Sequence, residues 1–291
     1  MLLWQARSVH QRVPRRSHLF KKLKLLQKLV HTSLTLAGVR GVLVSCARML
    51  PLSSADDAAG PSRGARPLIE YASRMYNYKH MDFEYALWLM ANLCTSPRTA
   101  FRTTLYHSRT KHQWARDDPA FIVVLLYLLL IAATAWSLAF GRGSPLSVIG
   151  LFLYVATVDF LVLGAALSTA GWWLSNTYLH DRGSEAVEWL YAFDVHCNAF
   201  LPLYLLLHVV QYVMLPLLLR PGILALLLSN ALYGAAFSAY HYLTFLGYSE
   251  LPFLHHCEVF VYPIALVVVA LVLSLLVNLN CTATVAYIYF G

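Results

Sequence analysis

Charge is scarce in this sequence: only 12% of its 291 residues are Asp, Glu, Lys or Arg, about half the share found in soluble domains. Hydrophobic residues make up 59% of the chain, which argues against a soluble globular protein. At roughly 150 residues per domain the length favours two domains, but in lipid the structural unit is the helix bundle. The sequence therefore predicts one membrane domain with a more polar N-terminal region.

Signatures of catalysis are also missing. The sequence contains no Walker-type phosphate loop, no nucleophile elbow, no HExxH zinc motif and no paired-glycine dinucleotide fingerprint. Its five cysteines are odd in number and scattered, which excludes a regular disulfide framework or zinc spacing. We predict that the protein is not an enzyme, needs no cofactor or metal, and has no small-molecule substrate.

Acidic residues are absent from residues 1–55, which hold ten of the 22 Lys and Arg residues and leave twelve basic against fourteen acidic residues elsewhere. Apolar residues from Leu19 to Val30 recur at helical spacing among lysines. This stretch fits a helix on an anionic membrane surface or a mitochondrial transit peptide. It also fits a dispensable extension, because a start at Met49 would give a shorter product. Residues 51–67 are rich in Pro, Gly, Ser and Ala, which is typical of a flexible linker, so we treat 1–67 as extension and linker.

Five segments are long and apolar enough to span a membrane, since a hydrocarbon core of about 30 Å needs about 20 residues of helix. Asp118 and Pro119 mark the start of the first segment as a cap and a first-turn proline. We predict a membrane domain over residues 120–291, with spans at about 120–140, 146–174, 199–219, 223–246 and 259–279.

Positive charge near the first span predicts the orientation, because Lys and Arg near helix ends stay on the cytosolic side. Only three basic residues follow Arg116, whereas four lie shortly before the span: Arg102, Arg109, Lys111 and Arg116. We predict a cytosolic N-terminus and, after five spans, a lumenal C-terminus.

A shorter apolar segment, Met81 to Leu93, precedes the first span within the predicted cytosolic region 68–119. About 13 residues are too few to cross a bilayer comfortably. Trp88 and the flanking Arg98 suit an amphipathic helix at the interface, with aromatic rings at headgroup depth. A helix packed beneath the bundle fits the pattern equally well.

One acid, Asp159, lies well inside a predicted span, where a carboxylate is costly unless it is protonated or paired. Neighbouring spans offer four polar partners: His208, Gln211, Asn230 and His241. A structural interhelical hydrogen bond is favoured over a proton relay or ion site, because interhelical polar pairs are common in membranes.

Titratable side chains gather in the predicted loop 181–198, and a second group, His255 to Glu258, follows the fourth span. Asp194 and His196 are two residues apart, which places them on different sides of a helix and makes them a poor pair of metal ligands. A solvated or interfacial face is the favoured interpretation for both groups.

Four long motifs carry a family resemblance: MDFEYALWLM at 81–90, TKHQWARDDPAF at 110–121, EWLYAFDVHCNAFLPL at 188–203 and TFLGYSELPFL at 244–254. Over residues 74–265 or so the sequence resembles the Unc-fifty (uncoordinated-fifty) family of multi-pass Golgi membrane proteins, whereas residues 1–50 lie outside the pattern. The resemblance implies five spans, a cytosolic N-terminus and a lumenal C-terminus. It also implies residence in the Golgi and, for some members, at the inner nuclear membrane with an association with RNA.

The resemblance further implies a role in the assembly and surface delivery of oligomeric receptors, notably nicotinic acetylcholine receptors. It also implies recruitment of large Arf-type guanine-nucleotide exchange factors to Golgi membranes. The implied docking surface is cytosolic and consists of the segments Met81 to Trp114 and Asp181 to Asn198.

We single out the following residues for structure or for their place in the motifs, and attach no catalytic role to them: Met81, Asp82, Trp114, Arg116, Asp117, Asp118, Pro119, Asp159, Asp194, His196, Asn198, Gly247, Tyr248 and Pro252. Asp117 and Asp118 are expected to be helix caps, and Asp194 and His196 polar contacts at the edge of the bundle. The run from His255 to Glu258 departs from the family pattern.

The sequence thus predicts an all-α polytopic membrane protein with about five transmembrane helices and an N-terminal interfacial amphipathic helix. Its predicted function is that of a Golgi trafficking adaptor, with membrane lipids, Arf-type exchange factors and oligomeric receptor cargo as partners. A small proton-coupled transporter that uses Asp159 and the membrane histidines is the alternative, although five spans cannot form two equal halves. A membrane-tethered RNA-binding protein is the third hypothesis.

Overall fold

The structure, a computed structural model, describes residues 81–111, 114–116, 118–180 and 185–290, and for residues 107–111 it describes only the backbone. Within these ranges the regular structure is helical, and the one β contact is an isolated bridge between His180 and Leu254. The helices in chain order are α1 (Phe83–Thr95), α2 (Pro97–Lys111), α3 (Ala120–Ala139), α4 (Pro145–Leu179), α5 (Trp189–Leu218), α6 (Ile223–Ser249), α7 (Cys257–Leu276) and α8 (Cys281–Phe290). The predicted all-α class is confirmed.

Five of these helices, α3 to α7, are long and apolar enough to cross a membrane, which confirms the predicted count. Their mean hydropathy ranges from 1.5 in α6 to 2.9 in α7. Helix α7 leaves a broad aliphatic face exposed, as expected where the surrounding solvent is lipid: Leu266, Val269, Val272 and Leu273.

The third span begins at Trp189 and not near residue 199 as predicted, so most of the segment expected as a loop is helix. Asp194, His196 and Asn198 are buried in this helix. Hydropathy places the boundary too late because these polar side chains lower the local average, yet each one finds a partner inside the bundle. The solvated face predicted for this segment is therefore wrong for these three residues.

Polar side chains set the starts of helices that are otherwise apolar. Asp82 caps α1 by accepting the Tyr85 N–H at 2.9 Å, and Asp118 accepts the Ala120 N–H at 2.9 Å where α3 begins. Helix α4 starts with Ser144 as its cap and a proline in its first turn.

The five spans run up and down as consecutive antiparallel helices. We call the end at which α3, α5 and α7 begin the entry end, and the opposite end the far end. Helix α5 is central and packs against α4 and α6, while α7 packs on α6 and α3 packs on α4. Helices α1 and α2 pack on each other at the entry end, with α1 against α3 and α5, and α2 against α6.

Helix α4 buries a face made of small residues: Gly164, Ser168, Gly171 and Ser175. Small residues let neighbouring backbones approach closely in a membrane. A Cβ atom at Gly164 would overlap the imidazole of His196 in α5, and one at Gly171 would lie 2.6 Å from the Tyr248 hydroxyl in α6. The packing of α4 therefore depends on the absence of side chains at these two positions.

Helix α8 packs into the far end of the bundle, and the sequence analysis does not predict this element. The Asn280 side chain accepts the Ala283 N–H at 3.0 Å, which caps α8, and donates to the Leu218 carbonyl at 2.9 Å. At the other end of α8, the Phe290 carbonyl accepts a hydrogen bond from Arg142 at 2.9 Å. Both ends of α8 are therefore bonded to the spans or the loops that join them.

Candidate functional site

The connection between α2 and α3 links the helices of the entry end through hydrogen bonds. The Arg116 backbone N–H donates to the Asp194 carboxylate in α5, and Arg116 Nη2 donates to Asn198 Oδ1 at 2.6 Å, one turn further along α5. The guanidinium also lies over the Phe121 ring, 4.5 Å from its centre. Arg116 thus joins the start of α3 to the first turns of α5.

The two residues before Arg116 extend this contact to the chain that leads into α5. Trp114 Nε1 donates to Glu185 Oε2 at 2.9 Å, and the Ala115 N–H donates to Glu188 Oε2 at 3.4 Å. The Trp114 ring packs edge-on against Phe253, with centroids 5.5 Å apart, and so reaches the connection between α6 and α7.

Asp118 brings α1 into the same assembly. Besides capping α3, its carboxylate accepts the backbone N–H of Asp82 through Oδ2 at 2.8 Å, so a single side chain joins the starts of α1 and α3. We call the group formed by Trp114, Arg116, Asp118, Asp194 and Asn198 the entry-end hub.

Helix α6 contacts α5 beside the hub. The Tyr191 hydroxyl donates to the Gly247 carbonyl at 2.6 Å, and a Cβ atom at Gly247 would lie 2.8 Å from both methyl groups of Val195. Tyr248 stacks on Phe260 at the start of α7, with centroids 4.1 Å apart. All five spans are therefore linked, directly or through a neighbour, to the entry-end hub.

The hub is a set of largely buried hydrogen bonds that join neighbouring helices. Asp194 is 6% exposed and Asn198 is 4% exposed, and Arg116 bonds to both. The cleft that Trp114, Arg116, Asp194 and Asn198 share with Tyr191 has room for little more than a water molecule. A larger ligand or a protein partner would therefore contact the outer surface of this end and not the cleft.

Most of the residues singled out from the sequence lie in or beside the hub: Met81, Asp82, Trp114, Arg116, Asp118, Pro119, Asp194, Asn198, Gly247 and Tyr248. Pro252 is exposed in the turn after α6. Asp117, expected as a cap, lies outside the described residues. Asp159 and His196 lie apart from the hub.

His196 lies in the interior of the bundle, 3% exposed, and not at its edge as expected. Its Nδ1 shares a hydrogen bond with the Tyr240 hydroxyl at 2.8 Å, and its ring packs beside Phe160 and Phe200. Asp194 therefore faces the connection between α2 and α3, whereas His196 faces α6. Among the side chains that the structure describes, no three His, Cys, Asp or Glu residues are grouped to hold a metal ion.

The membrane acid Asp159 has a partner that the sequence analysis does not anticipate. Its carboxylate accepts a hydrogen bond from the Tyr289 hydroxyl in α8. The four partners expected from neighbouring spans do not bond to it: His208, Gln211, Asn230 and His241.

Two of those four residues, Gln211 and Asn230, bond instead to the first residues of α8. Gln211 Nε2 donates to the Thr282 hydroxyl at 3.0 Å, and Asn230 Oδ1 accepts the Cys281 N–H at 3.1 Å. The predicted cluster of polar groups around Asp159 is therefore wrong. Gln211 and Asn230 bond instead to α8, a helix too short to be recognised from hydropathy.

Replacing Tyr289 by phenylalanine removes the hydroxyl that pairs with Asp159. We expect the free energy of unfolding to fall by about 0.6–2 kcal/mol, the range of interhelical hydrogen bonds in membranes. Thermal unfolding in detergent measures the effect, with Tyr127→Phe on the exposed face of α3 as the control that should change nothing. Full additivity of Tyr289→Phe and Asp159→Ala in the double variant would show that the two groups do not interact.

Sequence reasoning missed Glu185 and Glu188 as partners of the hub and Tyr289 as the partner of Asp159. The two glutamates carried a signal, because Glu188 is the first residue of a motif that the resemblance marks and Glu185 lies three residues before it. Tyr289 carried none, since it is 130 residues from Asp159 in the chain.

Comparison with known proteins gives a family. The model of the UNC-50 (Unc-fifty) family matches residues 71–290, a range that includes α8. "Protein unc-50 homolog" of Dictyostelium discoideum is 44% identical over 239 residues, 80% of this chain and 92% of that protein. The human protein of the same description is 39% identical over 236 residues, 80% of this chain and 90% of that protein.

A third relative gives the same result. "Protein unc-50" of Caenorhabditis elegans is 38% identical over 223 residues, 76% of this chain and 74% of that protein. No solved structure matches the chain.

Proposed function

The chain belongs to the UNC-50 family, and from that premise we propose that it is a Golgi membrane adaptor. It helps to bring Arf-type guanine-nucleotide exchange factors to the membrane and supports the assembly and surface delivery of oligomeric receptors. It acts by binding and takes no part in catalysis.

The observation that carries this proposal is the convergence of the motif residues on one end of the bundle. An adaptor needs a rigid surface in water, whereas a carrier needs polar groups around a path through the membrane. The entry-end hub and the adjoining Ala115 N–H hold residues 185–188 against the start of α3, and α2 packs on α1 and α6 at the same end. These two segments are the surface that we propose for the partner.

The distribution of arginine supports a cytosolic entry end. Arg98, Arg102 and Arg116 lie at this end, whereas Arg142 and Arg220 lie at the far end. The positive-inside rule assigns the end richer in Lys and Arg to the cytosol. The far end and α8 then face the Golgi lumen.

Helix α2 offers an exposed stripe to a partner. Arg98, Arg102 and Tyr106 are four residues apart, so they share one side of the helix. All three are exposed, Tyr106 at 70%. Because α2 sits at the entry end beside the hub, this stripe is presented at a fixed angle to the membrane.

Combining Arg98→Glu with Tyr106→Ala tests the proposed surface. We expect the fraction of exchange factor on Golgi membranes to fall to the level of cells that lack the protein, measured by imaging of the tagged factor. The matched control is Arg220→Glu, a charge reversal at an exposed far-end position. Normal recruitment by a correctly located double variant would contradict the proposal.

Surface substitutions test this idea better than a deletion of residues 74–119. Helix α1 buries Leu89 and Leu93 in the core at 1% and 2% exposure, so the deletion would also remove packing energy, about 1.5–3 kcal/mol for each buried leucine. A loss of recruitment after such a deletion would then report misfolding as readily as a lost docking surface.

The two other hypotheses receive no comparable support. Asp159, Gln211 and Asn230, which a proton-coupled carrier would need around its path, are bonded to α8 or to the residues just before it. The RNA-binding hypothesis depends on residues 1–50 and on Arg98, Arg102 and Arg109. Residues 1–50 and the Arg109 side chain lie outside what the structure describes, and Arg98 and Arg102 belong to the exposed stripe of α2.

A further inference from the structure

Helix α1 has two apolar faces, and the protein covers only one of them. The inner face packs against α3 and α5 and is buried: Ala86, Leu89, Met90 and Leu93. The outer face is apolar as well but open, with Phe83 40%, Leu87 55% and Trp88 41% exposed. A helix with one side in water would carry charged residues on this face, and here Glu84 is the only charged side chain between Phe83 and Thr95.

The hub fixes the depth of α1 relative to the membrane. The Asp118 carboxylate accepts both the Asp82 N–H, at the start of α1, and the Ala120 N–H, at the start of α3. Helix α3 has 20 residues, which at about 1.5 Å per residue span about 30 Å, the thickness of the hydrocarbon core. The start of α3, and with it the start of α1, therefore lies at the boundary between acyl chains and headgroups.

Exposed aromatic rings mark the same boundary on other helices of the entry end. Trp173 and Tyr178, near the end of α4, are 53% and 67% exposed and contact each other edge-on. Tyr262, near the start of α7, is 65% exposed. Rings of this kind collect at headgroup depth in membrane proteins. Trp88 continues this belt on α1.

We propose that the outer face of α1 is seated in the lipid leaflet at the entry end, with Phe83, Leu87 and Trp88 at the boundary between headgroups and acyl chains. Lipid, and not a protein partner, covers this face. The docking surface for proteins is then confined to α2 and residues 185–188. The inference requires only that the bundle is inserted in a membrane, so it does not depend on the adaptor function.

An environment-sensitive fluorophore on a single cysteine tests this placement. The protein, with its five native cysteines replaced and Leu87→Cys introduced, is reconstituted in nanodiscs of phosphatidylcholine and phosphatidylserine. Tyr106→Cys on α2, which is 70% exposed, is the matched control. We expect lipids with a nitroxide close to the headgroup to quench the label at position 87 several-fold more than at position 106, and aqueous iodide to quench in the reverse order.

Two outcomes would overturn the inference. Equal lipid quenching at the two positions, or stronger iodide quenching at position 87 than at 106, would place the outer face of α1 in water and leave it free for a protein partner. Each labelled protein must unfold at the temperature of the cysteine-free parent. Phe83→Cys provides a second position on the same face if Leu87→Cys fails that criterion. Because the assay contains no exchange factor, its result is separate from the test of recruitment.

Discussion

Replacing Asp194 by alanine is expected to lower the free energy of unfolding by about 2–4 kcal/mol, because the substitution leaves buried hydrogen-bond donors without their charged acceptor. Asp194 is 6% exposed, and its carboxylate accepts the backbone N–H of Arg116. The connection between α2 and α3 would then lose this bond to α5 and keep the bond from Arg116 to Asn198. Thermal unfolding of the purified protein in detergent measures the loss.

Glu185→Ala is the matched control for this prediction. Glu185 is exposed and accepts one hydrogen bond, from the Trp114 indole. Exposed polar contacts contribute little, so we expect a change below about 0.5 kcal/mol. If the two alanine variants unfolded at the same temperature, the hub would not hold the entry end together. Residues 185–188 would then not be fixed to the spans as a surface for a partner.

Replacing Gly164 by alanine is the second change with a large expected effect. The new Cβ atom would overlap the imidazole of His196, and that ring is held in place by Tyr240 and by the aromatic rings around it. Overpacking of a tight interior typically costs about 1–3 kcal/mol. We therefore expect a clear fall in the unfolding temperature and looser packing of α4 on α5.

Gly150→Ala supplies the same chemical change in the same helix. A Cβ atom at Gly150 meets nothing within 4 Å, and alanine is favoured over glycine inside a helix by about 0.5–1 kcal/mol. This variant should be neutral or slightly more stable than the parent. A loss of stability in Gly164→Ala without a loss in Gly150→Ala would confirm the close approach of α4 and α5, whereas equal effects would contradict it.

The features that sequence reasoning predicted are local in the chain. A span is a continuous apolar stretch, so five of them can be read without knowing what they pack against. The motif segment around Asp118 and Pro119 marks the start of α3 in the same way, because an N-cap acts on the residues directly after it. The short helix near Met81 was also foreseen, although the choice between its two interpretations needed the packing of its inner face.

The features that sequence reasoning missed depend on contacts between distant residues. The sequence alone predicts a loop around Asp194, His196 and Asn198. The partners of these side chains, Arg116 and Tyr240, are distant in the chain and are identified only by the structure. Helix α8 is too short for a hydropathy criterion, and its capping residue, Asn280, also bonds to the distant carbonyl of Leu218. A single sequence contains no record of which polar residues meet, so both the early start of α5 and the partner of Asp159 required the structure.

The orientation of the bundle in Golgi membranes is the most direct test of the central claim, which is that the entry end faces the cytosol and presents a docking surface there. Two single-cysteine variants of the cysteine-free protein serve as reporters, both at exposed positions: Glu258→Cys at the entry end and Pro221→Cys at the far end. Sealed Golgi vesicles with their cytosolic face outward are treated with a membrane-impermeant maleimide. Labelling of position 258 in sealed vesicles, and of position 221 only after detergent, is the predicted result. Labelling in the reverse pattern would contradict the account, because the hub and α2 would then lie in the lumen, where no exchange factor could reach them.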